Sequence, residues 1–189
     1  MDDNYQLVIS GVGGQGVLFV TRLLAEAAIA KGLPVFTSET HGMAQRGGTV
    51  ISHLKVGPFT SPLINPGKAD GLIALKAECL AQHGGYLKPG GWAAVNSPVP
   101  MVLAASSTVL TLDADQAARE VDDPRSVNLI MLGFTLANAQ QAKDHHQRSF
   151  CGLLDVAAVL KKRLGRQADR LKASLKALET GASRAAKTS

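Results

Sequence analysis

Apolar positions at the start of the chain switch between two rhythms. Tyr5–Ser10 is a short, apolar, β-prone run, whereas Val17–Lys31 repeats apolar residues at helical spacing, with Val17, Val20, Leu23, Leu24, Ala27 and Ala28 on one stripe. A glycine turn separates them, and Gly32 supplies the stop for the helix. Pro34–Ser38 reads as a second strand. Strand, glycine turn, helix and strand within about 35 residues have the dimensions of a βαβ unit, whose crossover builds a mainly parallel sheet. Thr49–Val56 alternates apolar and polar residues, as a half-buried strand does. Gly57–Gly67 holds three prolines and two glycines and predicts a loop. Ala69–Leu75 is a third core strand, followed by a helix over Ala77–Gln82. Leu87–Asn96 carries a Pro-Gly-Gly turn into a strand, and Val109–Leu112 is a further short one. Asp113 stands where it can cap a helix over Ala114–Val121, and helices follow at Val127–Ala142, Leu153–Leu164 and Ala168–Leu178.

Strands thus fill the first two thirds and helices the last third, with no internal repeat and no linker. The expected fold is a three-layer α/β/α domain, Rossmann-like, with a mostly parallel sheet over residues 1–150 and a basic helical C-terminal extension over 151–189. The length of 189 residues, with 46% hydrophobic and 19% charged, fits one domain of ordinary size. Aromatics make up only 4%, so the core must be built from Ala, Val, Leu and Ile.

No apolar run approaches the roughly 20 residues that span a bilayer. The acidic start, MDDNYQLVIS, is the reverse of a signal peptide's basic one, so a cytoplasmic location without membrane contact is expected. Cys79 and Cys151 lie outside any CxxC pattern, and the five histidines form no HxxxH or HxH pair. Both cysteines are expected as buried small residues, and no metal site is expected. The net charge of +5 comes from the segment that runs from Lys161 onward. There Leu164, Leu171, Leu175 and Leu178 recur at helical spacing and no aromatics interleave the charges. The segment therefore reads as a solvated helix face packed by its leucines on this domain or on a partner, not as a nucleic-acid contact.

Two stretches are stocked for chemistry. GVGGQG matches GxGxxG through Gly11, Gly13 and Gly16, with Gly14 and Gln15 between. Such a turn lets a phosphate approach backbone N–H groups at the start of a helix. Glu39 follows the second strand, near the place where an acidic residue meets a ribose in NAD enzymes. Three readings stay open at this point: a ligand-free tight turn, a turn that meets an anion or a neighbouring subunit, and an NAD(P) site. The second stretch, SETHGMAQRGGTV, crowds Glu39, His41, Gly42, Met43, Gln45, Arg46 and Gly47 behind a strand. Arg46 could grip a carboxylate or phosphate bidentately, and His41 beside Glu39 could act as a tuned acid or base. The same polar groups could equally pair with one another to hold an irregular loop.

GVGGQGV, then SETHGMAQRGGTVISHLKVG, then SPLINPGKADGLIAL, in that order and spacing, resembles the γ module of the 2-oxoacid:acceptor oxidoreductases. The E-x-H-G-M-A-Q-R-G-G loop is most similar to that of the small subunits of the indolepyruvate ferredoxin branch, whereas pyruvate and 2-oxoglutarate members carry a loop like Y-G-x-E-x-R-G-G. The resemblance runs from about Leu7 to about Ala142. It implies an enzyme that decarboxylates a 2-oxoacid oxidatively on thiamine diphosphate and passes electrons through [4Fe–4S] clusters to ferredoxin. The acyl group goes to coenzyme A. It places thiamine diphosphate, Mg and the clusters in a larger partner subunit and none in this chain, which is then inactive alone. Gly11, Gly13, Gly14, Gln15 and Gly16 would meet a phosphate, as of coenzyme A. Glu39, His41, Gly42, Met43, Gln45, Arg46 and Gly47 would form the subunit interface or substrate entrance, with no bond-breaking step assigned to any of them. A stand-alone NAD(P)-binding reductase and a non-catalytic binding or regulatory module of the same fold are the competing expectations, and a homodimer is an expected state of the isolated chain.

Overall fold

The computed structural model describes residues 4–41, 48–103, 107–141 and 149–185. Six strands form one sheet: β1 (Tyr5–Val12), β2 (Val35–His41), β3 (Thr49–Val56), β4 (Ala69–Ala74), β5 (Leu87–Asn96) and β6 (Thr108–Leu112). Their spatial order is β2-β3-β1-β4-β5-β6. β1, β4, β5 and β6 pair in parallel, while β3 runs antiparallel to both β1 and β2. Five strands therefore point one way, in the mostly parallel sheet expected. The insertion of β3 between β1 and β2 was not foreseen. The simple βαβ unit puts β2 beside β1; here that place is taken by the strand that follows.

Helices cover both faces. α1 (Val17–Ala30), α3 (Ala114–Glu120), α4 (Val127–Gln141), α5 (Leu153–Leu164) and α6 (Ala168–Ala185) share a core with Leu7, Ile9, Leu54, Ile73 and Trp92. The short α2 (Ala77–His83) covers the opposite face over Val8, Leu72, Ala74, Ala93 and Val95. Strand residues alternate between these two cores, as the two-residue period of a strand requires. α4 is apolar on every side and lies buried along nearly its whole length. Its partner on the outside is α6. A Cβ on Gly181 would overlap the Ile130 carbonyl oxygen, and one on Gly133 would overlap that of Leu178, so the two backbones touch where each helix has a glycine. The leucine stripe of the basic segment thus packs on this domain through Leu178, with Ala177 and Ala185 beside it.

β3 departs from its expected half-buried state. Ser52 through Val56 are all buried, including His53 and Lys55. The loop over 57–67 folds back across that face: Lys55 Nζ donates to the Leu63 carbonyl at 2.8 Å and lies 4.7 Å above the Phe59 ring. Ile64 N–H donates to His53 Nδ1 at 3.4 Å. The period-two pattern was correct, but it cannot show that a proline-rich loop roofs the polar side.

Candidate functional site

β1 has β3 and β2 on one side and β4, β5 and β6 on the other, so the chain reverses its winding between β1 and β4. In open α/β sheets the crevice outside the carboxyl ends of the strands at such a reversal receives ligands. The glycine turn lies there. Gln15 N–H donates to the Val12 carbonyl at 3.1 Å, closing the turn. Gly14 and Gly16 adopt φ of 88° and 79°, a left-handed backbone that costs other residues about 1–2 kcal/mol each. Gly11 is buried, and a Cβ there would meet Gln15 Oε1 and Val17 at 2.9 Å.

The side chain of Gln15 holds the loop. Its Oε1 accepts from Val12 N–H at 2.8 Å and its Nε2 donates to the Leu75 carbonyl at 3.3 Å, tying the turn to the end of β4. Gly13 N–H donates to the Gly48 carbonyl at 3.3 Å. Among the described residues, the N–H groups of Gly14, Gly16, Val17, Leu18 and Phe19 meet no protein acceptor. α1 carries no side-chain cap and no acid in its first turn. Bare amides and the positive end of the helix dipole make this an attractive place for an anion.

The far wall of the crevice is made by residues that the sequence did not single out. Asn96, at the end of β5, donates to the Leu75 carbonyl at 3.2 Å and to Asp115 Oδ2 at 2.8 Å, and its Oδ1 accepts from Ala114 N–H at 2.9 Å. One side chain thereby joins the ends of β4 and β5 to the start of α3. Asn128, in the first turn of α4, lies against Gly16. An amide at the carboxyl end of an apolar strand was a usable signal for Asn96. Nothing local marked Asn128.

Glu39 is placed differently from its expected position. β2 continues to His41, so Glu39 lies within an edge strand, exposed and in register with Ser52. Two strand spacings, about 10 Å, separate β2 from β1. A ribose-binding acid stands on the strand next to β1 in dinucleotide folds, and β3 occupies that place here. The structure therefore does not bring Glu39 to the glycine turn. His41 ends β2 opposite Val50. Gly42, Met43, Gln45, Arg46 and Gly47 lie outside the described residues, while Gly48 just after them touches the glycine turn through Gly13.

On the face under α2 the fold assembles a histidine pair that the spacing along the chain did not reveal. His83 Nδ1 and Ser10 Oγ are 2.8 Å apart, and His53 stands edge-on to Tyr86 at 5.4 Å. Burial holds both imidazoles below their ordinary range, and the nearby His83 and Lys55 depress His53 further. Both are neutral near pH 7. Cys79 and Cys151 belong to the two opposite cores, and burial pushes both thiols up, Cys151 to about 12. Protonated thiols on opposite sides of a sheet do not fit a shared iron–sulfur cluster. Among the described residues, no helix is long and apolar enough to cross a membrane.

Fold and crevice together define a Rossmann-like α/β domain with a glycine turn at its strand reversal. The chain belongs to the pyruvate ferredoxin/flavodoxin oxidoreductase family, whose sequence pattern matches residues 6–184. It is 53% identical over 75 residues to the indolepyruvate oxidoreductase subunit IorB of Archaeoglobus fulgidus, covering 39% of this chain and 37% of that protein. It is 32% identical over 151 residues to the same subunit of Thermococcus kodakarensis, covering 68% and 75%. The match thus spans little more than a third of the first relative and three quarters of the second. In fold it is similar to the 2-oxoglutarate:ferredoxin oxidoreductase of Magnetococcus marinus, with a TM-score of 0.79 and 20% identity over all of this chain and 32% of that one. That structure holds 2-oxoglutarate, coenzyme A and succinyl-CoA.

Proposed function

We propose that this chain is the small, γ-type subunit of an indolepyruvate-type 2-oxoacid:ferredoxin oxidoreductase. The whole enzyme converts an aryl-pyruvate and coenzyme A into an acyl-CoA and carbon dioxide, and two electrons pass to ferredoxin. The observation that carries this reading is the likeness to indolepyruvate oxidoreductase subunits over two thirds of the chain. Bond breaking belongs to thiamine diphosphate and Mg, and electron transfer to [4Fe–4S] clusters, all held by a larger partner subunit.

This chain's own contribution is binding and assembly. The bare amides of Gly14, Gly16, Val17, Leu18 and Phe19 would receive a phosphate of coenzyme A, favoured by the helix dipole. The coenzyme A in the Magnetococcus enzyme of the same fold supports that choice of anion. Gln15 holds the turn in shape through both ends of its amide. β2 ends at His41 on the free edge of the sheet, and Gly48 touches the glycine turn through Gly13. A partner seated at that edge beside the turn would border the coenzyme A site, which is the reason for assigning Glu39, His41, Gln45 and Arg46 to the interface.

The test is co-expression with the larger chain of the same enzyme, followed by indolepyruvate- and coenzyme A-dependent reduction of a viologen dye. Neither chain alone should show activity, and the co-purified pair should. Failure to co-purify, or equal rates with and without this chain, would overturn the assignment. Micromolar affinity of the isolated chain for NADH would put a stand-alone reductase in its place.

A further inference from the structure

Asn128 is 8% exposed, yet its amide is only half engaged. Oδ1 accepts from Leu129 N–H at 2.8 Å, and because a backbone N–H needs an oxygen, that bond fixes which end of the amide is which. The NH2 end is thereby aimed at Gly16, the N-cap of α1, with no acceptor among the described residues. Only the absence of a side chain at Gly16 allows this approach. A side chain this well buried with one end of its amide free of any protein acceptor calls for an explanation.

The surroundings supply one. Asn128 lies in the first turn of α4, a helix of 15 residues, and α1 has 14. Their N-termini meet at Gly16, so two positive dipole ends and the unpaired amide face the same short stretch of backbone. The acids nearby are engaged elsewhere: Asp113 accepts from Gln116 N–H, Asp123 from Arg125 N–H and Asp115 from Asn96 Nδ2.

We propose that Asn128 is the side-chain arm of a phosphate site shared by the N-termini of α1 and α4. Its Nδ2–H donates to a phosphate or diphosphate oxygen that the amides of Gly16, Val17 and Leu18 also bind. The inference rests on the glycine turn being the part of the subunit that meets an anion, and it names the residue that completes that site. Gly16 is then required twice, for its left-handed backbone and for the approach of Asn128. The ligand is a nucleotide-type phosphate, since two helix ends and a neutral donor favour a multiply charged oxyanion over a single carboxylate.

The test is a 1H–15N NMR titration of the full chain with inorganic phosphate, ADP and coenzyme A, each against acetate as the carboxylate probe. The amides of Gly14, Gly16, Val17 and Leu18 and the side-chain NH2 of Asn128 should shift together with one midpoint, at lower concentration for the phosphates than for acetate. Asn128→Asp keeps the acceptor for Leu129 and puts an acid at a helix N-terminus, so it should melt at or above the wild-type temperature. It should nevertheless lose at least about tenfold in affinity for ADP, because a donor becomes a like charge. Asn128→Ala, which removes the donor without adding charge, should lose less. If the turn's amides shift but the Asn128 side chain does not, and Asn128→Asp binds ADP as tightly as wild type, the inference is overturned while the glycine-turn reading stands. If no probe moves the turn, both are overturned, and the co-expression assay still decides the subunit assignment separately.

Discussion

Adding one methyl group at Gly16 tests the contact on which the crevice is built. Gly16→Ala has two costs. The left-handed φ of 79° costs an L-residue about 1–2 kcal/mol. The new Cβ would come far inside 3.0 Å of Asn128 Nδ2, closer than real Cβ atoms come. Asn128 must then turn aside and give up its bond to Leu129 N–H, at about 1–2 kcal/mol for the lost hydrogen bond and the off-rotamer side chain. The single variant should lose about 2–4 kcal/mol. Asn128→Ala alone should lose about 1 kcal/mol, the net worth of that hydrogen bond. In the double variant the collision has gone and only the backbone strain and the lost bond remain, about 2–3 kcal/mol. The two changes are therefore non-additive by about 1–2 kcal/mol. Urea unfolding followed by far-UV circular dichroism resolves such a difference when m is unchanged. The gain from restricting the unfolded chain, about 0.4–1 kcal/mol for a Gly→Ala change, is common to both Gly16 variants and cancels in the cycle. Additivity to within about 0.5 kcal/mol would show that Asn128 does not lie on Gly16, and the argument for a shared site would fall with it.

Gly181→Ala places a Cβ against the Ile130 carbonyl and 2.9 Å from Phe134 N. It should lower stability by about 1–3 kcal/mol despite the helix propensity gained, and a variant as stable as wild type would refute the close approach of α4 and α6. His53 and His83 are held below the ordinary value near 6.5, so between their folded pKa values and that value the unfolded chain binds more protons than the folded one. Stability should accordingly fall as pH drops from about 7 toward 5, and His53→Gln should flatten the profile; an equally steep slope in that variant would assign the effect to other groups. Arg46→Ala should melt almost normally, with a loss of about 0–1 kcal/mol, while turnover of the reconstituted enzyme drops about ten- to a hundredfold. A variant that melts much lower yet reconstitutes at normal rates would assign Arg46 to its own loop.

Local pattern alone determined much of this protein. The apolar stripe of α1, the glycines around it and the alternation in β3 are set by residues within a turn or a strand of one another. Those elements appear within a residue or two of their expected bounds, as do α3 with its Asp113 cap and α5. The glycine turn was legible as a tight strand-to-helix turn because its shape resides in backbone conformation, which glycine spacing controls directly. The order of strands was not legible. Whether β2 or β3 pairs with β1 depends on long-range hydrogen bonds that both sequences can form equally well. That choice alone moved Glu39 away from the turn and set the dinucleotide reading aside. Tertiary structure likewise decided the partners of Gln15 and Asn96, which meet at the Leu75 carbonyl from positions 60 and 21 residues away. It also decided the nearness of His53 to His83 at the end of α2, and the close packing of α4 and α6 at two glycines. Above all it placed Asn128 beside Gly16. In a linear chain an asparagine in the first turn of a helix is unremarkable, and only the convergence of two helix ends gives its free amide something to do.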